Sequence, residues 1–181
     1  MKKLLPGALA LAILMLGTTA FALTKETFKL SSSAFEDREA IDLQYAGPGI
    51  KGGGNISPPL TWEGAPDGTV SFSISMVDLT DNNLIHWAVL NIPYWVTNIN
   101  RAASPWYMPY ACSELRNAFG TIGYAGPDPE KGSGPHVYEI TLYALNKTID
   151  IKGNPSFEDI RHHVFDAVIG KASLRGKFEN R

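Results

Sequence analysis

Residues 73–93, SISMVDLTDNNLIHWAVLNIP, read as strand, loop, strand. Ser73, Ser75 and Val77 alternate with Ile74, Met76 and Asp78, the period of two of a half-buried strand. The polar tip Thr80-Asp81-Asn82-Asn83 turns the chain. His86 opens a second apolar run, Trp87-Ala88-Val89-Leu90-Asn91-Ile92, which Pro93 closes. An acid at one strand end and a histidine at the next strand start can therefore face each other. A further histidine, in Gly134-Pro135-His136-Val137-Tyr138, again leads into a strand. One carboxylate and two imidazoles at strand ends make a metal site, an acid–base site or a polar pocket.

Working outward, 137–145 (VYEITLYAL) is the clearest strand, with Tyr138, Ile140, Leu142 and Ala144 on one face. Thr27-Phe28-Lys29-Leu30 and Ile41-Asp42-Leu43-Gln44-Tyr45 are short strand candidates. Ser57-Pro58-Pro59-Leu60-Thr61-Trp62 is a stiff extended segment leading into a strand, because each proline fixes its own φ and biases the residue before it. Residues 94–135 carry many prolines, glycines and aromatics and read as a long irregular connection, of the kind that often holds function. One helix is expected over 156–169, capped by Ser156 with Asp159 as its box partner and stopped by Gly170. His162 and His163 fall on its solvated side. Trp62, Trp87 and the Phe119 region are expected in the core.

Residues 1–22 read as a cleaved signal peptide: a basic Lys2-Lys3, an apolar run from Leu4 to Leu16, and Ala20-Phe21-Ala22 at the cut. Residues 23–181 form a single domain. The expected location is the periplasm, or beyond it as a secreted protein, with no integral membrane segment after cleavage. The chain has 16 Lys and Arg against 18 Asp and Glu, and losing Lys2 and Lys3 takes the net charge from −2 to −4 with His neutral. That balance argues against nucleic acid as a partner, since phosphate neutralisation drives such binding. Cys112 is the sole cysteine, so no intrachain disulfide holds the fold; the thiol is either buried or pairs between chains, burial being the commoner fate.

Several blocks, in order, resemble the phosphatidylethanolamine-binding protein family in its bacterial Raf-kinase-inhibitor-like branch. They are Asn55-Ile56-Ser57-Pro58-Pro59-Leu60-x-Trp62, Met76-Val77-Asp78, His86-Trp87-x-Val89-x-Asn91-Ile92-Pro93, Gly123-Tyr124-x-Gly126-Pro127-x-Pro129 and Gly134-Pro135-His136-x-Tyr138. The resemblance implies a mainly β single domain: a large antiparallel sheet packed on a smaller one, plus one or two peripheral helices. It also implies a small pocket at one end of the sheet for anions such as phosphate head groups. Carried over by residue, Asp78, His86, His136 and Tyr138 match its polar groups, Gly126 a backbone donor in its lip, and Pro129 a wall. Three positions depart from the family pattern: Thr80 replaces a second acid, Leu84 an aromatic wall, and Asp128 a small or uncharged lip residue.

Such a pocket binds an anion through two imidazoles and Tyr138, without cofactor or catalysis, and best below neutral pH. Asp78 would orient one imidazole and raise its pKa while burial lowers it. The expected partners are a small anionic ligand or phospholipid head group and an unidentified protein. Two alternatives stay open. One is a hydrolase or metal-dependent enzyme with Asp78, His86 and His136 as a facial triad. The other is an interaction protein with a vestigial pocket, or a bare Asp78–His86 tie between strands. In that case the aromatic segment Pro105-Trp106-Tyr107-Met108-Pro109-Tyr110, with Trp95, makes a homodimer contact, binds a partner or folds over the core.

Overall fold

The computed structural model describes residues 27–181. The expected signal peptide and its cleavage point lie outside the described residues. In chain order the elements are β1 (Lys29–Ser31), β2 (Glu39–Ala40), a 3-10 turn (Leu43–Tyr45), β3 (Leu60–Glu63), β4 (Ser71–Asp78), β5 (Leu84–Pro93), β6 (Asn98–Ile99), β7 (Ser113–Glu114), β8 (His136–Leu145), α1 (Phe157–Phe165) and β9 (Val168–Phe178). A small sheet runs β1-β3-β6 and a large one β2-β9-β8-β4-β5-β7. Every pairing is antiparallel except the short β2–β9 contact.

The hairpin over 73–93 forms as expected and lies near the middle of the large sheet. Asn82 and Asn83 both take positive φ at its tip (47° and 59°), a conformation that asparagine tolerates better than most residues. β4 is buried on both faces rather than half-buried. Ile74, Met76, Trp87, Val89, Tyr138, Ile140 and Leu142 pack on one face against Leu60, Trp62 and Ile99 of the small sheet. On the other face Ala88, Leu90 and Leu145 meet Phe157, Ile160 and Val164 of α1. The β4 serines fit beneath this second layer because they bond locally, Ser73 Oγ donating to the Val89 carbonyl at 2.8 Å.

Three expectations need correction. Residues 41–45 contain no strand: the Asp42 carbonyl accepts from the Tyr45 N–H (2.9 Å) and the Leu43 carbonyl from the Ala46 N–H (3.0 Å), winding a single tight turn. The helix has its expected capping box, Asp159 N–H to Ser156 Oγ and Ser156 N–H to Asp159 Oδ2. It stops at Phe165, however. The Ala167 N–H turns back to Val164 and the Asn146 N–H takes the Ala167 carbonyl, which leaves the β-branched pair Val168-Ile169 to open β9. Phe119 is half exposed rather than in the core, whereas Trp62 and Trp87 are buried. His162 and His163 are solvent-exposed as expected.

Candidate functional site

The register of β4, β5 and β8 brings their ends to one point. Asp78 stands opposite Leu84 of β5 and Tyr138 of β8. Its carboxylate is 3% exposed as a residue and fully committed. Oδ1 accepts from the Thr80 N–H (2.8 Å) and the Asp81 N–H (3.2 Å), and Oδ2 accepts from His136 Nδ1 (2.6 Å). A buried carboxylate needs such partners to offset its lost hydration. Asp78 therefore starts the turn and aims His136 at the same time. Its partner is His136, so the bare Asp78–His86 tie, one of the alternatives left open, does not form.

His86 is kept away from Asp78 by a β-bulge. Met76 pairs with Trp87 and Val77 with Ile85, so His86 is the extra residue, with no residue opposite on β4. The loop at Ala125 holds it twice: Nδ1–H donates to the Ala125 carbonyl and the His86 carbonyl accepts from the Ala125 N–H, both at 2.9 Å. The carbonyl can only accept, so the neutral ring carries its proton on Nδ1 and leaves Nε2 a lone pair. Burial holds the imidazole below its ordinary pKa, against the opposing pull of the Ala125 carbonyl and Asp78. At neutral pH His86 is thus uncharged.

Tyr138 is 1% exposed and packs against both imidazoles, edge-on to His86 at 5.1 Å and stacked with His136 at 6.5 Å. Its hydroxyl is buried and makes no well-formed hydrogen bond among the described residues, although the Asp78 carboxylate lies close enough to interact with it. Burial, with Asp78 nearby, pushes the phenol well above its ordinary pKa, so it remains a donor. His136 Nε2 lies 3.1 Å from Ser133 Oγ. The acid, imidazole and hydroxyl thus stand in the order of a hydrolytic triad. However, the single Ser133 proton has a nearer acceptor in the Glu130 carbonyl at 2.8 Å. The Ser133 and Gly132 N–H groups are also spent, on the carbonyls of Glu130 and Asn180. Ser133 steadies the ring and offers no oxyanion hole of its own.

These groups line a cavity of about 360 Å³, with Asp81, Leu84, Phe119, Asp128, Pro129 and Glu130 among its walls. Of the six expected site residues, Asp78, His86, Pro129, His136 and Tyr138 meet here and Gly126 does not. The Gly126 N–H donates to Asn55 Oδ1 at 2.8 Å. Gly126 is glycine for packing reasons, since a Cβ there would lie 2.1 Å from the Tyr45 carbonyl oxygen. Asp78 and His136 are spent on each other. Among the described residues no set of three His, Cys, Asp or Glu side chains is gathered for a metal ion. The facial-triad arrangement of Asp78, His86 and His136 does not form. Phe119, set edge-on to His86 at 5.2 Å, is a wall that the sequence did not announce. Buried Asn117 places it, its Oδ1 accepting from the Phe119 and Thr121 N–H groups.

The sequence profile described as phosphatidylethanolamine-binding protein matches residues 31–179. The chain belongs to that family. It is 33% identical to YbcL of Escherichia coli K12 over 151 residues, 78% of this chain and 82% of YbcL. It is 35% identical to PH1269 of Pyrococcus horikoshii over 188 aligned positions, 100% of this chain and 91% of the relative. A Mycobacterium tuberculosis relative named as a candidate lipoprotein, LppC, is 28% identical over 156 residues, 85% of this chain and 73% of the relative. Among solved structures, that of Escherichia coli YbcL, described as a member of the mammalian PEBP family, superposes with a TM-score of 0.80 at 31% identity. It covers 85% of this chain and 99% of its own. The fold is the mainly β, two-sheet, single-domain architecture of the phosphatidylethanolamine-binding proteins.

Proposed function

We propose that this family member is an exported, non-enzymatic binding and regulatory protein whose pocket takes a small phosphate monoester carrying an ammonium group. A head-group-like zwitterion is the best fit. The observation that carries this reading is the Tyr138 hydroxyl, a buried donor without a partner at the pocket floor. Buried polar groups are almost always satisfied, and leaving one orphaned costs free energy that a ligand oxygen would recover. His86, once protonated, adds a further donor at Nε2. Asp81, Asp128 and Glu130 make the outer wall acidic. A bare dianion is opposed there, whereas a phosphate set deep with its ammonium at the rim meets the right charge at both ends. The lipoprotein name of the mycobacterial relative supports an envelope location. The exposed aromatics Tyr94, Trp95, Tyr107 and Tyr110 supply a surface for protein contacts.

Titration calorimetry with phosphoethanolamine, inorganic phosphate and ethanolamine tests the reading. The expected order of affinity is phosphoethanolamine, then phosphate, then ethanolamine, with the first two lost in a His86→Ala, His136→Ala double variant. Equal binding by the folded double variant would overturn it. So would ester turnover with a fluorophosphonate label on Ser133, which would make the pocket a hydrolase site.

A further inference from the structure

A second cleft lies between β7 and the aromatic segment, sharing no residue with the pocket at Asp78. Pro105, Trp106, Met108, Cys112, Glu114 and Ile122 line about 520 Å³. Its walls are apolar apart from one carboxylate. Glu114 Oε1 accepts from Trp87 Nε1 at 2.7 Å and from Ser104 Oγ. Oε2 has no hydrogen-bond partner and Glu114 makes no ion pair among the described residues. Residues 102–113 hold no charged side chain at all. Trp106 lines the cleft and is 84% exposed as a residue. A half-buried carboxylate without a counter-charge loses part of its hydration in an apolar cleft. Packing alone does not explain it, because a glutamine would make the same two bonds.

We propose that this cleft is a second ligand site, for a small quaternary ammonium cation. The carboxylate supplies the opposite charge, and an indole beside it supplies cation–π attraction. The class of cation follows from the walls. A primary ammonium brings three N–H donors, and the cleft has one free carboxylate oxygen to receive them. A methylated ammonium has no N–H to satisfy and presents an apolar surface to Met108, Ile122 and Pro105. Burial, the largest influence on Glu114, raises its carboxyl above the ordinary range. The titratable group facing it is Cys112, whose thiol burial pushes up to about 11, so it stays neutral. Tyr124, packed on Trp87, turns its hydroxyl to the Tyr45 carbonyl. Glu114 alone therefore sets the pH response, and cation binding strengthens as pH rises through its raised pKa.

The probes are choline and its uncharged isostere 3,3-dimethylbutanol, titrated by calorimetry into the folded protein and into E114Q and W106A. E114Q keeps the Trp87 and Ser104 bonds, and Trp106 is exposed, so both variants fold, which circular dichroism checks. Choline should saturate, bind about tenfold or more tightly than the isostere, and weaken by about tenfold in each variant. It should also weaken on acidification and be unaffected by the His86→Ala, His136→Ala pair. Equal affinity for choline and the isostere would make the cleft merely apolar and overturn the proposal. Absence of saturable choline binding would do the same, as would a dimer that W106A dissociates while choline leaves it intact. Failure here leaves phosphoethanolamine binding at the other pocket untouched, so the two readings fall separately.

Discussion

Replacing Tyr138 with Phe removes one oxygen from the centre of the candidate pocket and leaves the ring packing against both imidazoles in place. For a buried tyrosine whose hydroxyl is bonded, that change destabilises. Here the hydroxyl is buried and without a partner, so the sign reverses. An orphaned buried donor costs about 1–3 kcal/mol. Relief of the lower part of that range, about 1–2 kcal/mol, is expected, since the Asp78 carboxylate nearby already accommodates part of the phenol's polarity. For a domain of this size each kcal/mol moves Tm by about 2–4 °C, giving a rise of roughly 2–8 °C by scanning calorimetry. The same substitution should weaken phosphoethanolamine, because a hydrogen bond to a charged oxygen contributes about 1.5–3 kcal/mol, roughly ten- to a hundredfold in Kd. Stability and binding thus move in opposite directions. A drop in Tm with binding unchanged would refute the reasoning, since the hydroxyl would then belong to the fold and not to a ligand.

Three further outcomes follow. Gly126→Ala should cost about 3 kcal/mol and lower Tm by roughly 6–12 °C, because its Cβ meets the backbone at Tyr45 and Ala46, which cannot yield as a side-chain tip would. If Gly126 were instead a ligand donor, affinity would fall with Tm unmoved. Phosphate affinity should rise as pH falls from about 7.5 to about 5.5, by up to tenfold per pH unit, as a bound anion favours protonated His86. Burial lowers the folded His86 pKa, so its contribution to stability is full above the unfolded value of 6.5 and is lost as pH falls toward the folded one. Ligand-free Tm should therefore decline across the range in which affinity grows. Ser156→Ala removes the helix cap and should cost about 1 kcal/mol, read from urea midpoints, with ligand affinity unchanged because α1 lies across the sheet from the pocket.

The hairpin, the strand at Tyr138 and the helix start were legible because period-two alternation and a capping box are local signals. The helix end was not. Phe165, Val168 and Ile169 continue the helical stripe, and only the pairing of β9 with β8 decides that Val168 is a strand residue. Residues 41–45 alternate like a strand, but the 3-10 turn delivers the Tyr45 carbonyl to the Tyr124 hydroxyl 79 residues away. Asp78, His86, His136, Pro129 and Tyr138 come together at one cavity, but which imidazole Asp78 holds was not legible. A single extra residue in β5 separates His86 from Asp78 and passes the carboxylate to His136. Bulges depend on cross-strand register, and one strand's sequence does not print it. Asn117 and Phe119 were missed because their roles rest on a loop that one buried amide organises.

The departures from the family pattern bear on ligand choice because the fold has absorbed them. Thr80 sits where the family usually has an acid, and its hydroxyl accepts the Val137 N–H at 2.9 Å, bracing the turn against β8. Asp128 Oδ2 accepts the Gly49 N–H at 3.1 Å, tying the lip to the glycine-rich loop. Asp128→Asn can keep that bond, because the amide oxygen still accepts, while the charge is removed. Exposed charges are screened, so the electrostatic change at the pocket is on the order of 1 kcal/mol at low salt. Inorganic phosphate should then bind about fivefold more tightly and phosphoethanolamine should gain less, because its ammonium loses a partner. The preference for the zwitterion would narrow, and added salt would erase the difference between variant and parent. If phosphate affinity stays fixed while Tm falls, Asp128 serves only to hold the lip, and the acidic rim does not select the ligand.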